Sequence, residues 1–277
     1  MDRNFDDIAE HFHKKIYQSQ KGRTRLERLW ADFQSFLPEL FDGSSLHVLD
    51  AGGGFGQLSF ELSRRGHHAV LTDLSKEMLS IAKTQHSEIL QNDADNDGLK
   101  YEGSISYLHS PIQELQSVLG RQFDFVMCHA VLEWVVEPKQ VLEEVLRSLK
   151  PGGLFSLTVY NKSSVYFSNL LRGNFRWVDR WMAQMDDPDA DPALSLLKGR
   201  SLTPPGPLLP QTVEAWLDEL NCQVIKKTGI RVLGDYLNSH YTKGHSQSDI
   251  LEKESYFGVR RPYSDMGRYV HFIGRKL

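Results

Sequence analysis

The chain has 277 residues, 40% hydrophobic, enough for one large α/β domain with an insertion. Its net charge of −4 argues against a globally basic nucleic-acid binder, but residues 221–277 hold ten Lys/Arg against five Asp/Glu, a local +5 that leaves −9 for the preceding 220 residues. No run approaches the roughly 20 apolar residues of a membrane span, residues 1–7 are too acidic for a signal peptide, and Cys128 and Cys222 sit in apolar runs, which suits buried reduced thiols in a cytoplasmic protein. In chain order, residues 5–30 carry Ile8, Phe12, Ile16, Leu26, Leu29 and Trp30 at helical spacing, with Gly22 expected to split them into two helices.

A strand then ends at Asp50 and a second at Asp73, separated by a glycine turn and an amphipathic helix from Gln57 to Arg65. Ser75 is placed to cap the next helix through Met78 and Leu79. Residues 92–103 read as an acidic loop. Asp93, Asp95, Asp97 and Gly98 imitate the start of a calcium loop, but its twelfth position is Ser104 rather than glutamate, so no metal is expected. Strands follow at 105–108 and 123–128, a helix at 139–149 stopped by Pro151-Gly152-Gly153, and a fifth strand at 154–160. Ligands of such parallel sheets lie at the carboxyl ends of the strands, here Asp50, Asp73, Gln113, His129 and Tyr160-Asn161. Residues 161–210 break the repeat and read as an insertion over the strand ends, helical before Asp187. A helix at 210–220, with Thr212 as a candidate cap, leads to two alternating segments, 223–232 and 269–276, that fit an antiparallel hairpin. The connection between them, 234–261, has helical character. The expected organisation is one domain over 1–277, with an N-terminal helical cap (1–45), the insertion (161–210) and a C-terminal hairpin with a basic tail (221–277).

The sharpest motif is the turn after the first strand. Gly52, Gly54 and Gly56 alternate behind Asp50, and Asp73 follows at the spacing of a ribose-binding acid. This D-x-G-x-G-x-G pattern resembles the first motif of class I S-adenosylmethionine (SAM) methyltransferases; a dinucleotide site would present G-x-G-x-x-G over a pyrophosphate. A ligand-free structural turn is the plain alternative. The resemblance implies a Rossmann-like, mostly parallel seven-stranded sheet closed by the C-terminal hairpin.

Further blocks resemble the tRNA 5-carboxymethoxyuridine methyltransferase family: residues 2–10 (DRNFDDIAE), Lys21-Gly22, 48–54 (VLDAGGG), 129–135 (HAVLEWV), 173–175 (GNF), 227–232 (KTGIRV), 267–269 (GRY) and His271. They span nearly the whole chain. That family methylates the carboxyl group of 5-carboxymethoxyuridine at the tRNA wobble position. The acceptor is already ionised at pH 7, so in-line transfer needs positioning and no general base. The resemblance implies that Arg25 holds the methionyl carboxylate of SAM, Gly52 and Gly53 pass close to the methionyl and ribose portions beside Asp50, and Asp73 takes the ribose. Leu74, Ile112 and Gln113 would border adenine, and His129 would face the methionyl or methyl end. Candidates for the acceptor carboxylate are Arg231, Tyr160, Arg268 and His271. Phosphates of the anticodon stem-loop are expected on Arg172, Arg176, Arg180, Lys198, Arg200, Lys226 and Lys227. Two other readings share the same cofactor residues: a methyltransferase of small carboxylic acids or quinones, and a SAM-binding protein without turnover.

Overall fold

The computed structural model describes residues 2–14, 19–97, 101–185, 203–237 and 243–277. Strands β1 (His47–Ala51), β2 (His68–Asp73), β3 (Ser104–His109), β4 (Phe123–His129), β5 (Leu149–Tyr160), β6 (Cys222–Ile230) and β7 (Tyr269–Lys276) form one sheet in the order β3-β2-β1-β4-β5-β7-β6. The first five are parallel, and β7 runs antiparallel between β5 and β6. The order reverses direction between β1 and β4, the switch point where such sheets open a crevice at their carboxyl ends. The seven strands and the C-terminal hairpin agree with the expected class.

Helices cover both faces, so the central strands are apolar on both sides. On one face Leu49, Val126 and Phe155 pack against Val141, Leu142, Val145 and Leu146 of α6 (Pro138–Arg147) and against Val213 and Leu217 of α9 (Pro210–Glu219). Their chain neighbours Val48, Phe125 and Leu154 point the other way, as strand alternation requires. They meet Leu29 and Phe33 of α2 (Gln20–Phe36) and Leu58 and Leu62 of α3 (Gln57–Arg64). Helix α1 (Ala9–Phe12) makes a smaller cluster with Phe55 and Met78, the latter on α4 (Lys76–Asp97).

The structure corrects five local readings. Gly22 does not break a helix: it lies in the first turn of α2, where its amide donates to the Ser19 side chain (3.1 Å). The acidic stretch is helical as far as Asp97; α4 is held there by Asp93, which accepts from Arg64 (2.8 Å) and Tyr101 (2.7 Å). The helix after β4 ends at Arg147, and Pro151-Gly152-Gly153 lies inside β5. Phe123 pairs with Leu149 and Phe125 with Leu154, so the extra residues bulge, with Gly152 at φ +74°. Thr212 does not cap α9: Leu209 is the N-cap residue and Pro210 takes the first turn, where its missing N–H costs nothing. Gln113 sits in one short helical turn (Ile112–Glu114) between β3 and α5 (Leu115–Leu119) rather than at the strand end.

After β5, α7 (Lys162–Leu171) and α8 (Phe175–Met185) begin the segment read as an insertion. Asn161 ties it down. Its side-chain amide donates to the carbonyls of Asp265 and Gly267 (both 2.8 Å), and its oxygen accepts from Ser163 N (3.0 Å). Helix α10 (Gln247–Gly258) occupies the β6–β7 connection. Its Glu254 carboxylate accepts from the amides of Val232, Leu233 and Gly234.

Candidate active site

A cavity of about 900 Å³, counted with its open mouth, lies over the ends of β1, β2 and β4. Its floor is the glycine turn. Gly52 has φ +69°, and a Cβ there would lie 2.7 Å from Val131 and 3.4 Å from Ile112, both of which line the cavity. A side chain at this position would fill the space that the turn leaves open. Asp73 closes one side. Its carboxylate accepts from Gly54 N (2.9 Å) and Ser75 N (2.8 Å), and burial pushes its carboxyl up from the ordinary range.

Arg25, Gly52, Asp73, Leu74, Ile112, Gln113 and His129 all line this cavity, brought together from five separate segments. Asp50 and Gly53 do not. Asp50 lies beneath the turn, so close that a Cβ on Gly53 would approach its carboxyl carbon to 2.3 Å. Burial raises the Asp50 carboxyl to about 7, against the hydrogen bond of Ser59 and with the added repulsion of Asp73. Asp50 braces the loop from below, and Gly54 rather than Gly53 lines the cavity beside Gly52.

The residues that roof the cavity were not among the sequence candidates, although an N-terminal helical cap over residues 1–45 was expected. Asp2 accepts from Gln113 Nε2 (2.6 Å) and Val136 N (2.9 Å), and Arg3 N donates to Trp134 O (3.2 Å). Phe5 packs edge-on against Trp134 (4.9 Å between centroids) and against Phe12 (5.0 Å). Asp6 accepts from Ser75 Oγ (2.6 Å) and Glu77 N (3.1 Å), and the Ser75 bond holds its carboxyl below the usual range. The signal was present in residues 2–10 as a family-like block, but nothing in their pattern said what they cover.

His129 reaches the cavity from the end of β4, and behind it runs a buried polar chain. His129 Nε2 lies 2.7 Å from Ser156 Oγ, which lies 2.8 Å from His271 Nε2; His271 Nδ1 is 2.8 Å from Asp32, and Asp32 pairs with Arg28. His271 is 1% exposed with both ring nitrogens engaged, so it is not an acceptor-binding residue. The other three candidates do gather. Arg231, at φ +60°, pairs with Asp235, Arg268 lies 3.6 Å from the same carboxylate, and Arg268 sits over the Tyr160 ring at 5.1 Å. Tyr160 meets Tyr269 (5.4 Å), and the Arg25 guanidinium sits over the Tyr269 ring at 5.4 Å, so this cluster adjoins the cavity.

The basic candidates divide. Arg172 and Arg176 are exposed at the α7–α8 turn, among exposed Phe167, Leu170, Leu171 and Phe175. Lys227 is 8% exposed and held by Glu214 (2.9 Å) and Asp265 (2.7 Å), so it is not available to a phosphate. Lys226 is half-buried, donating to Val259 O (3.5 Å) over the ring of Phe36. Both lie partway down β6 rather than over the strand ends. Lys198, Arg200 and the side chain of Arg180 lie outside the described residues.

Among the described residues no helix is long and apolar enough to cross a membrane, and no cluster of three or more His, Cys, Asp or Glu could hold a metal. A family model described as a methyltransferase domain matches residues 49–157. The chain is 38% identical over 275 residues to the tRNA 5-carboxymethoxyuridine methyltransferase of Escherichia coli (strain K12), covering 99% of this chain and 97% of that one. It is 32% identical over 120 residues to the ubiquinone biosynthesis O-methyltransferase of Hahella chejuensis, covering 43% and 45%. Among solved structures, the magnesium protoporphyrin IX methyltransferase of Synechocystis PCC 6803 superposes with a TM-score of 0.62 at 13% identity, covering 99% and 96%.

Proposed function

The chain belongs to the tRNA 5-carboxymethoxyuridine methyltransferase family, and from that premise we propose that it methylates the carboxylate of 5-carboxymethoxyuridine at the wobble position of tRNA, with S-adenosylmethionine as donor. The observation that carries the substrate assignment is the extent of the similarity. It includes the roof, the segment after β5 and the C-terminal strands, whereas the likeness to the quinone enzyme covers less than half the chain. Residues 1–45, 161–210 and 221–277 are the parts that would adapt a common methyltransferase core to this acceptor.

The residues present fit the donor. Asp73 offers acceptors for ribose hydroxyls, Leu74, Ile112 and Gln113 a mostly apolar wall for adenine, and Gly52 and Gly54 room at the backbone. Arg25 would take the methionyl carboxylate. When bound, S-adenosylmethionine supplies an electrophilic methyl group. The protein's own task is to orient the acceptor and exclude water. The acceptor carboxylate, with an ordinary pKa of about 4, arrives ionised, so no residue is called on to remove a proton. Arg268 and Arg231, which share Asp235 beside Tyr160, would hold its non-attacking oxygen. The anticodon stem-loop would lie over α7–α8, with Arg172 and Arg176 meeting phosphates and the exposed rings meeting unstacked bases.

Purified protein, methyl-labelled S-adenosylmethionine and tRNA bearing 5-carboxymethoxyuridine should give label that mild alkali releases as methanol. Alkali-stable label would mean an ether, amine or carbon acceptor and would overturn the assignment. Asp73→Ala should weaken donor binding in calorimetry by about 1–3 kcal/mol, the cost of unpaired hydroxyls; unchanged affinity would remove Asp73 from the site.

A further inference from the structure

The buried chain behind His129 has a direction, and hydrogen counting supplies it. Asp32 is fully buried and accepts from Arg28 and from His271 Nδ1. An ionised carboxylate only accepts, so the His271 Nδ1 must carry a proton. Arg28 already balances the charge of Asp32; burial opposes that ionisation, but His271 and Arg28 outweigh it and hold the carboxyl below its usual range. A second cation at His271, 1% exposed, would stand uncompensated, which is costly. His271 is therefore neutral, its Nε2 is bare, and the Ser156 hydroxyl must donate to it (2.8 Å). Ser156 Oγ is then an acceptor for His129, 2.7 Å away, so the His129 proton sits on Nε2. Among the described residues no group bonds His129 Nδ1, and the open space beside that ring is the cavity.

We infer that Asp32, His271 and Ser156 are positioning residues that fix His129 in its Nε2–H tautomer, so that a bare Nδ1 accepts a hydrogen bond from the α-ammonium group of the bound methyl donor. The inference rests on the proposed donor site and adds to it the residues that set the polarity of its methionyl end. Burial, with the charge of Arg25 adding to it, holds His129 well below its ordinary pKa, which keeps that lone pair free of a proton. Arg25, near enough to act on His129, would take the carboxylate of the same amino-acid group, so one cation and one lone pair meet its two charges. A bare lone pair repels an anion, so His129 does not hold the acceptor carboxylate.

Two measurements test this. Long-range nitrogen–proton correlation spectra of the ligand-free protein report which ring nitrogen of His129 is protonated. Nε2–H is expected; an Nδ1–H tautomer, which an imidazolium at His271 would enforce by reversing both bonds of the Ser156 hydroxyl, would overturn the inference. In calorimetry, the wild type should bind S-adenosylhomocysteine about tenfold more tightly than an analogue lacking the α-amino group. In Ser156→Ala that ratio should fall to roughly twofold, and Ser156→Thr, which keeps the hydroxyl, should restore it. A purely structural serine would lower both affinities together and leave the ratio intact, and that result would also overturn the inference. Absence of any S-adenosylhomocysteine binding by the wild type would instead strike the donor-site reading, while the tautomer is read without ligand.

Discussion

Glu133 shows how a single buried group sets a pH dependence. It is 0% exposed, and neither carboxylate oxygen has a hydrogen-bond partner among the described residues. Burial raises its carboxyl from 4.5 to about 7, with the nearby amides of Glu133 and Tyr160 and the charge of Arg25 offsetting only part of the effect. Because the folded value lies above the unfolded one, the folded state holds an extra proton between the two. Stability therefore falls as pH rises through that window, and the loss is complete above about 7. Glu133→Gln should unfold at higher denaturant than the wild type at pH 8, by up to about 3 kcal/mol, with the advantage shrinking toward pH 5. Equal stability of the two proteins across that range would show that Glu133 finds a partner. The sequence announced Asp73 and His129 through glycine-turn spacing and strand ends, and Arg25 only through the family resemblance. It said nothing of Ser156 or Asp32, whose meaning arises only where β4, β5, β7 and α2 pack together.

Among the elements, the parallel strands were legible because their apolar runs are short and bounded by turn residues. Errors fell where local propensity loses to context. Pro151-Gly152-Gly153 reads as a stop, yet pairing of Leu149 with Phe123 starts the strand before it. Residues 92–97 are weak helix formers, yet Arg64 and Tyr101 anchor them through Asp93. Lys227 looked like part of a basic tail because charge counting does not see Glu214 and Asp265 across the fold. The N-terminal segment is the element with the clearest separable task. It contributes few residues to the main core but roofs the cavity through Asp2, Arg3 and Phe5. Removal of residues 2–12 should weaken donor binding about tenfold or more, given the side-chain hydrogen bonds of Asp2 and Asp6 and the Phe5 packing, and shift the melting temperature only a few degrees. Full affinity in the truncated protein would mean that the roof does not bear on the ligand.

On the scale of the whole molecule, the charge asymmetry of the sequence does not translate into one basic face. Lys226 and Lys227 lie partway down an edge strand, engaged by their own protein, while Arg172 and Arg176 stand exposed beyond β5. Arg172→Glu with Arg176→Glu should therefore reduce tRNA affinity and flatten its dependence on salt, leaving S-adenosylhomocysteine binding unchanged. Lys227→Met should leave that salt slope as it is; a flattened slope there would mean that the ion pairs open to admit a phosphate. The strand order has a consequence in time as well as in space. The last eight paired residues, Tyr269–Lys276, lie between β5 and β6 rather than at an edge. A ribosome-bound chain that has emerged as far as β6 therefore has two unsatisfied strand edges and no means of joining them. His271 arrives with that strand, so the nascent protein completes its sheet and the polar chain behind His129 in the same event.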